Sequence, residues 1–413
     1  MMKINKFTLP NGLRVIHHEN PESSLVVVNT LYDVGAKDED PQHTGFAHLF
    51  EHLMFGGSVN VPSFDEPIQN AGGENNAWTS VDYTNYYVVL PANNAEIAFW
   101  LESDRMLSLD FNPKSLDVQR HVVCEEFKQR CLNQPYGDLY HLLRPMLFKK
   151  HSYQWPTIGK ELSHIEEATL EQVKDFFFSH YAPNNAILSV VGNISLDRCK
   201  ELVEKWYSEI PSRKIKERNL PEEPKQEELR FIEVERNVPT NLIYLVYHAP
   251  KRLSPDFYLS DIISDILANG NSARLYQRLV KRDKLFVDVN AYVSGEIEEG
   301  LFYLTGYLAD GVDFEEAKNA LWNELEILKQ ERVEEKELEK LKNKFESTYL
   351  LNNMELMNLA SNLAYYELLG DVNLFNEEVT KYRSLSAEQI QTFAQKLFTK
   401  ENCSVLYYKK KNG

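Results

Sequence analysis

The most informative stretch of the sequence is residues 45–58, GFAHLFEHLMFGGS, which carries two histidines four residues apart. Positions i and i+4 of a helix lie on one face, one turn apart. His48 and His52 can therefore both reach one zinc ion at about 2.0–2.1 Å. Glu51 projects near the same face, where a carboxylate can take a proton from an attacking water. This His-x-x-Glu-His order predicts a zinc site, with two surface histidines on an amphipathic helix as the alternative.

A catalytic zinc site needs a third protein ligand and an open fourth position. Residues 118–131, VQRHVVCEEFKQRC, have a helical pattern and offer Glu125 and Glu126. Adjacent helix residues point about 100° apart, so only one of the two can face a metal. We expect Val122 and Val123 to mark the buried side. Glu126 lies four residues after the first and three after the second, which favours Glu126 and leaves Glu125 as the alternative.

Length and charge limit the classes of protein. A chain of 413 residues is too long for one compact core, so two or more domains are expected. The composition, 43% hydrophobic and 26% charged, is ordinary for a globular protein. A net charge of -17 argues against nucleic acid or an anionic membrane as a partner, because both require a cationic face.

The compartment is expected to be the cytoplasm, with the periplasm as the alternative. The opening residues, MMKINKFTLPNGLRV, contain no long apolar stretch of the kind that forms a signal peptide or membrane anchor. None of the cysteines forms a C-x-x-C pair, which fits a reducing compartment. These cysteines are Cys124, Cys131, Cys199 and Cys403.

An internal repeat divides the chain into two similar halves. The segment TLEQVKDFFFSHYAPNNAILSVV, which begins at Thr169, matches SAEQIQTFAQKLFTKENCSVLYY, which begins at Ser386, at an offset of 217 residues. Each copy predicts a capped amphipathic helix, a turn and a buried strand, and Asn185 matches Asn402. A weaker match at an offset of 214 aligns Asn76-Ala77-Trp78 with residues 290–292.

The join between the halves is predicted at residues 213–228, RKIKERNLPEEPKQEE, which are highly charged and contain two prolines. We therefore expect a first domain at 1–212, a linker at 213–228 and a second domain at 229–413. Strands are expected at LRVIHHE, SLVVVNTLYDVG and NYYVVLP, and helices at 94–108 and 312–348. This mixture predicts an α+β fold of two homologous domains, each an antiparallel-rich sheet covered by helices.

The sequence resembles the pitrilysin/insulinase family of zinc peptidases, the inverzincins, which includes mitochondrial processing peptidases and bacterial two-domain members. The resemblance covers essentially the whole chain. It is carried by TLPNGLRV, GFAHLFEHLMFGGS, AGGENNAWTSVDYTNYYVVLP, RHVVCEEFKQR and NGNSARLYQRLVKRDKLF. It implies that His48 and His52 bind one Zn²⁺, that Glu126 is the third ligand and that Glu51 is the general base.

The resemblance also implies how substrate is held. Asn76 and Ala77 match the family's edge-strand segment, where an extended peptide adds to a sheet through main-chain hydrogen bonds. Phe55 and Trp78 match positions near the substrate pockets, and core packing is the alternative for these two side chains. The implied activity is that of a zinc metalloendopeptidase acting on peptides or unfolded polypeptides. The alternative is a non-catalytic structural or peptide-capture subunit.

The second half departs from the family's pattern. At the 214-residue offset, the metal-binding segment maps to Ile262, Asp265 and Ile266, so no ligand pair is retained. Family members often carry an arginine and a tyrosine that stabilise the oxyanion, and the matching positions here are Val280 and Val287. The family builds its chamber from four similar domains and this chain supplies two. We therefore expect a heterodimer with a related metal-free subunit, with a homodimer as the alternative.

Overall fold

The computed structural model describes residues 2–411. Its strands are β1 (Asn5–Thr8), β2 (Arg14–Glu19), β3 (Leu25–Tyr32), β4 (Glu74–Thr79), β5 (Thr84–Pro91), β6 (Ala186–Gly192), β7 (Arg230–Arg236), β8 (Leu242–Ala249), β9 (Phe286–Val293), β10 (Gly300–Leu308) and β11 (Cys403–Lys410). Its α-helices are α1 (Phe46–Leu53), α2 (Asp65–Asn70), α3 (Ala95–Leu107), α4 (Pro113–Phe127), α5 (Leu139–Leu147), α6 (Ser163–Glu166), α7 (Leu170–His180), α8 (Leu196–Tyr207), α9 (Pro255–Ala268), α10 (Phe314–Gln330), α11 (Glu335–Asn352), α12 (Leu356–Leu368), α13 (Leu374–Arg383) and α14 (Ala387–Leu397).

The chain forms two compact units, each a sheet covered by helices, which confirms the predicted α+β class. Unit 1 comprises Met1–Leu132, His151–Pro221 and Leu350–Glu377. Unit 2 comprises Asn133–Lys150, Glu222–Tyr349 and Glu378–Gly413. The units are thus discontinuous in sequence, unlike the continuous halves expected at 1–212 and 229–413. None of the described helices is both long and apolar enough to cross a bilayer.

Unit 1 is built on a six-stranded sheet of order β1-β2-β6-β3-β5-β4. Only the pairing of β2 with β6 is parallel among its described pairs. Because side chains alternate along a strand, Val26 and Val28 of β3 enter the main core, whereas Asn29 points to the opposite face. There α12 packs on β3 and β6, and the Ser361 hydroxyl donates a hydrogen bond to Asn29 Oδ1 at 3.1 Å.

Unit 2 has a five-stranded sheet of order β7-β11-β8-β10-β9. Its only parallel pair among the described strands is β7 with β11. Strand for strand, this order repeats β2-β6-β3-β5-β4 of unit 1. Helix α5, from the first half of the sequence, packs on β11. Each unit therefore receives one helix from the other half of the sequence.

The predicted repeat is confirmed in atomic detail. Thr169 and Ser386 each accept a hydrogen bond from the third residue of the following helix and form a capping box with a glutamine. Asn185 donates hydrogen bonds to the backbone carbonyls of residues 180 and 33. Asn402 makes the same pair of contacts, with the carbonyls of residues 397 and 248. The matched residues therefore hold the helix and the strand together in the same way in both units.

One prediction needs correction. The helical pattern at 312–348 forms two helices rather than one, and the break at Glu331–Glu334 lets Val333 turn into the core of unit 2. Residues 213–228 contain no helix or strand, and a boundary between the two units falls within them, between Pro221 and Glu222. Arg213 donates hydrogen bonds to backbone carbonyls of unit 1, and Arg218 pairs with Asp33 and Asp38. The arginines of this predicted linker thus bind acceptors on the folded unit.

Candidate metal centre

The helix that carries His48 begins in a tightly constrained turn. Its N-cap, Gly45, has a φ of 86°, a left-handed conformation that favours glycine. A β-carbon there would approach the Ile158 carbonyl oxygen to 2.9 Å. A glycine cap offers no side chain to the free N–H groups, and Glu39 takes that role. Its two carboxylate oxygens accept hydrogen bonds from the Gly45 and Ala47 N–H groups at 2.8 and 2.9 Å.

Helix α1 has one face in the core and one face on the site. The core face consists of Phe46, Leu49, Phe50 and Leu53. The other face presents His48, Glu51 and His52. Because Trp155 Nε1 also donates to the Glu39 carboxylate at 3.0 Å, the helix start is tied to a buried ring as well. The apolar face and this cap together fix the rotation and the position of α1.

Helix α4 carries Glu126, the expected third ligand. It begins at Pro113, behind an Asn112 side chain that accepts a hydrogen bond from Ser115 N at 2.8 Å. Its buried residues are Leu116, Val123, Cys124 and Phe127. Val122 was expected on the buried side, but it is 43% exposed, because the buried stripe is centred nearer Val123.

Of the two adjacent glutamates, the structure turns Glu126 toward α1. The Glu126 side chain is 18% exposed and that of Glu125 is 55% exposed. Glu125 forms an ion pair with Lys128 at 2.8 Å, pointing away from the histidines. The helix continues into a π-helical turn, Lys128–Leu132.

His48, His52 and Glu126 form a group that fits zinc. Glu126 Oε2 lies 3.6 Å from His48 Nε2 and 3.2 Å from His52 Nε2, and the potential ligand atoms all lie within 4.8 Å of one another. Ligand atoms about 2.0–2.1 Å from a tetrahedral zinc ion are about 3.3–3.4 Å apart. The spacing and the His₂Glu donor set therefore match a catalytic zinc site. Within residues 2–411 this is the only such group of three.

The protonation states also suit a metal. Burial lowers the pKa of His48 to about 4, so its imidazole is neutral at pH 7 and can donate a lone pair. The hydrogen bond from His52 lowers the pKa of Glu126, which keeps the carboxylate ionised. Arg130 Nη2 lies 3.0 Å from Glu126 Oε1. Oε2 of Glu126 therefore faces the two histidines, and Oε1 faces the guanidinium group of Arg130.

Glu51 is placed beside this group without joining it. The pKa of Glu51 is raised, because the effect of burial outweighs the hydrogen bond from Thr79 and the charge of neighbouring His52, which both lower it. The Thr79 hydroxyl donates to Glu51 Oε2 at 2.6 Å. A partly desolvated carboxylate next to a metal site is suited to accept and return a proton.

The residues expected to bind substrate lie on or near β4, the edge strand of the sheet. Asn76 is exposed, and its Oδ1 accepts a hydrogen bond from the exposed Ala77 N–H at 2.8 Å. Trp78 lies against Tyr87 with ring centroids 6.2 Å apart. Phe55 packs on the core of unit 1, which accords with its core alternative. Roles in substrate binding remain predictions for all four.

In unit 2 the positions 214 residues on hold no metal group. Ile262 and Ile266 are buried in the apolar core, and Asp265 accepts a hydrogen bond from the Asn269 side chain one turn away. The two isoleucines in place of the two histidines had already predicted this difference between the units.

Sequence reasoning missed two residues of the site. Glu39 lies six residues before the helix cap that it completes, and Thr79 lies 28 residues after the glutamate that it contacts. Gly45, which carries no capping oxygen ahead of a predicted helix, was a usable signal for Glu39. No local pattern marks Thr79, because its contact depends on how β4 packs against α1.

Comparison with known proteins places the chain in a family. Residues 14–159 match the model described as Insulinase (Peptidase family M16), and residues 167–345 match the model described as Peptidase M16 inactive domain. The chain is 28% identical to the zinc protease PqqE of Helicobacter pylori over 98% of this chain and 93% of that one. It is 26% identical to the uncharacterized zinc protease YmxG of Bacillus subtilis over 96% of each.

The fold agrees with these matches. The crystal structure of a protease from Helicobacter pylori superposes with a TM-score of 0.93 at 27% identity, covering 99% of this chain and 100% of that one. The first family model ends at residue 159. The second begins at residue 167, two residues before the first repeat copy at Thr169. With the His-x-x-Glu-His helix and its glutamate partner in the first match, the chain belongs to peptidase family M16, the insulinase family of zinc proteases.

Proposed function

We propose that this chain is a zinc-dependent endopeptidase that holds one Zn²⁺ and hydrolyses peptides or unfolded polypeptides. The observation that carries the proposal is the convergence of His48, His52 and Glu126 with Glu51 beside them. A purely structural protein has no need of two imidazoles, an ionised carboxylate and a separate proton acceptor in one place. The zinc-protease relatives support the same reading.

The chain's own residues supply the proton chemistry. When bound, zinc would polarise the scissile carbonyl and acidify the attacking water. Glu51 takes the proton of that water and passes it to the leaving amine. The hydrogen bond from Thr79 occupies Glu51 Oε2, which leaves Oε1 to accept the proton. Partial burial of this carboxylate strengthens its interaction with the transferred proton.

Substrate would be held along β4. An edge strand offers unpaired backbone groups to an extended peptide. The exposed Ala77 N–H is satisfied by the adjacent Asn76 side chain, which a substrate carbonyl can replace. The Thr79 side chain contacts Glu51 of α1. Side chains two residues apart share one face of a strand, so Ala77 also faces α1. Peptide bound at this edge would therefore run past the metal centre.

A peptide-cleavage assay tests the proposal. The zinc-loaded chain, alone and together with the partner subunit proposed below, is incubated with a mixed fluorogenic peptide library, with Glu51→Gln as the control. We expect cleavage by the wild type that the variant abolishes while it retains zinc. Equal rates for the two proteins would contradict the assignment of Glu51 and would favour a non-catalytic role.

We further propose that the active assembly is a heterodimer. Val280 packs partly against the core of unit 2, and Val287 is 65% exposed on β9. Neither side chain can donate a hydrogen bond to an oxyanion. A related metal-free subunit would supply those donors and complete a chamber that admits unfolded chains. Co-purification of a related subunit with the tagged chain, and faster cleavage on its addition, is expected. A symmetric dimer that cleaves peptides unaided would overturn the heterodimer.

The second candidate function is peptide capture without turnover. It is favoured by the match of residues 167–345 to a domain described as inactive and by the missing donors at Val280 and Val287. Capture predicts peptide binding that is unchanged in Glu51→Gln and no cleavage with any partner. The same assay therefore separates the two functions.

A further inference from the structure

Among the described residues, the hydroxyl of Thr79 has one hydrogen-bond partner, the carboxylate of Glu51. Thr79 is the last residue of β4 and pairs in register with Thr84 of β5. Its Oγ1 lies 2.6 Å from Glu51 Oε2, a short distance typical of a hydroxyl bound to an ionised oxygen. The backbone of Thr79 serves the sheet, so the hydroxyl is not needed for strand pairing.

The same strand that offers its edge to substrate thus also contacts the base. Ala77 and Thr79 project from one face of β4, two residues apart. Ala77 packs on the core beside α1 and Thr79 reaches Glu51. The strand along which a peptide would lie therefore also holds the Glu51 carboxylate in position. A rotation of the carboxylate would change the direction in which Oε1 points relative to the metal ligands.

On this basis, and resting on the proposed peptidase function, we infer that Thr79 is a positioning residue for Glu51. Its hydroxyl holds Oε2, so the side chain has one orientation and Oε1 alone faces the reacting water. A carboxylate held by an outer hydrogen bond loses less freedom when it reaches the transition state. Thr79 touches neither metal nor substrate in this account and acts through Glu51.

The test uses a matched set of variants in the assembly in which the wild type cleaves peptide. Thr79→Val keeps the shape and the β-branching and removes only the hydroxyl. Thr79→Ser keeps the hydroxyl and removes the methyl group. Thr30→Val is the control, because the Thr30 hydroxyl is buried in the same unit and has no hydrogen-bond partner among the described residues, Glu51 included. The measured quantities are kcat, KM, zinc content and the melting temperature.

We expect Thr79→Val to lower kcat about 10- to 100-fold, the range for a lost hydrogen bond to a charged group, with KM, zinc content and melting temperature near those of the wild type. Thr79→Ser should restore most of kcat, and Thr30→Val should leave it unchanged. A crystal structure of zinc-loaded Thr79→Val should show the Glu51 carboxylate rotated from its present orientation.

Three results would overturn the inference. One is a Thr79→Val variant with wild-type kcat. Another is an equal loss of kcat in the valine and serine variants, which would place the effect in packing. The third is a loss in Thr79→Val that follows zinc content or melting temperature. A wild type that cleaves no peptide with any partner removes the proposed function itself, and this inference with it.

Discussion

Units 1 and 2 repeat the same order of five strands, yet they differ at one helix. In unit 1 that helix is α1, with one face in the core and His48, Glu51 and His52 on the other. In unit 2 the positions 214 residues on lie in α9, where Ile262 and Ile266 are buried in the core. The shared parts are the sheets, the capping boxes and the paired asparagines. A fold can therefore be retained while the candidate metal-binding residues are confined to one copy.

The largest expected effect is on the base. Glu51→Gln should lower kcat by about 10³-fold, within the range for loss of general acid–base catalysis, with zinc still bound. The matched change in unit 2 is Asp265→Asn, which should leave kcat unchanged. Steady-state cleavage of a fluorogenic peptide measures both. If the two variants lost activity to the same degree, the functional difference between the units would be refuted.

The next effect is on the metal. Glu126→Gln should weaken zinc binding by at least about 100-fold, since even outer partners of zinc ligands are worth about 10- to 100-fold. Glu125→Gln, one position away, should bind zinc as the wild type does, because its side chain pairs with Lys128. Competition with a chromophoric chelator gives both dissociation constants. Tighter binding in Glu126→Gln than in Glu125→Gln would reverse the assignment of the third ligand.

A third prediction concerns the helix that unit 1 takes from the second half of the sequence. Leu363 of α12 is fully buried, whereas Leu351 of α11 is 65% exposed. Leu363→Ala should lower the free energy of unfolding by about 3 kcal/mol, and Leu351→Ala by less than about 0.5 kcal/mol. Denaturant unfolding measures these changes. Hydrogen exchange should locate the loss in β3 and β6, and a loss located in β8 and β10 would contradict the division into units.

The smallest effect should be the same in both units. Thr169→Ala and Ser386→Ala each remove a capping-box oxygen, and each should lower the free energy of unfolding by about 1 kcal/mol. Thermal or denaturant unfolding of the two variants checks this. If only one of the two variants lowered the free energy of unfolding, the two capping boxes would share a geometry without contributing equally to stability.

Much of the site followed from the sequence because it is local. The spacing of His48 and His52 fixes a shared helix face, and no tertiary information is needed for that. The choice of Glu126 over Glu125 was favoured by the same reasoning, although the premise about Val122 was wrong. A helical wheel gives the approximate direction of a side chain, and a rotation of a few tens of degrees decides which valine is buried.

The rest depends on contacts between distant parts of the chain. The amphipathic pattern of α12 shows that it has a buried face, but not which sheet it covers. The same holds for α5 and for the arginines of residues 213–228, whose acceptors lie on distant residues of folded unit 1. Glu39 and Thr79 are polar residues whose partners are set by packing. Local pattern therefore predicted the three side chains that lie together, and tertiary structure was needed for the residues that orient them.

The most direct test of this account is the location of zinc. Crystals of the full chain loaded with zinc would be measured at the zinc absorption edge, and an anomalous difference map calculated. We expect one peak per chain, about 2.0–2.2 Å from Nε2 of His48, Nε2 of His52 and a carboxylate oxygen of Glu126. A peak in unit 2, or none between these three side chains, would contradict it.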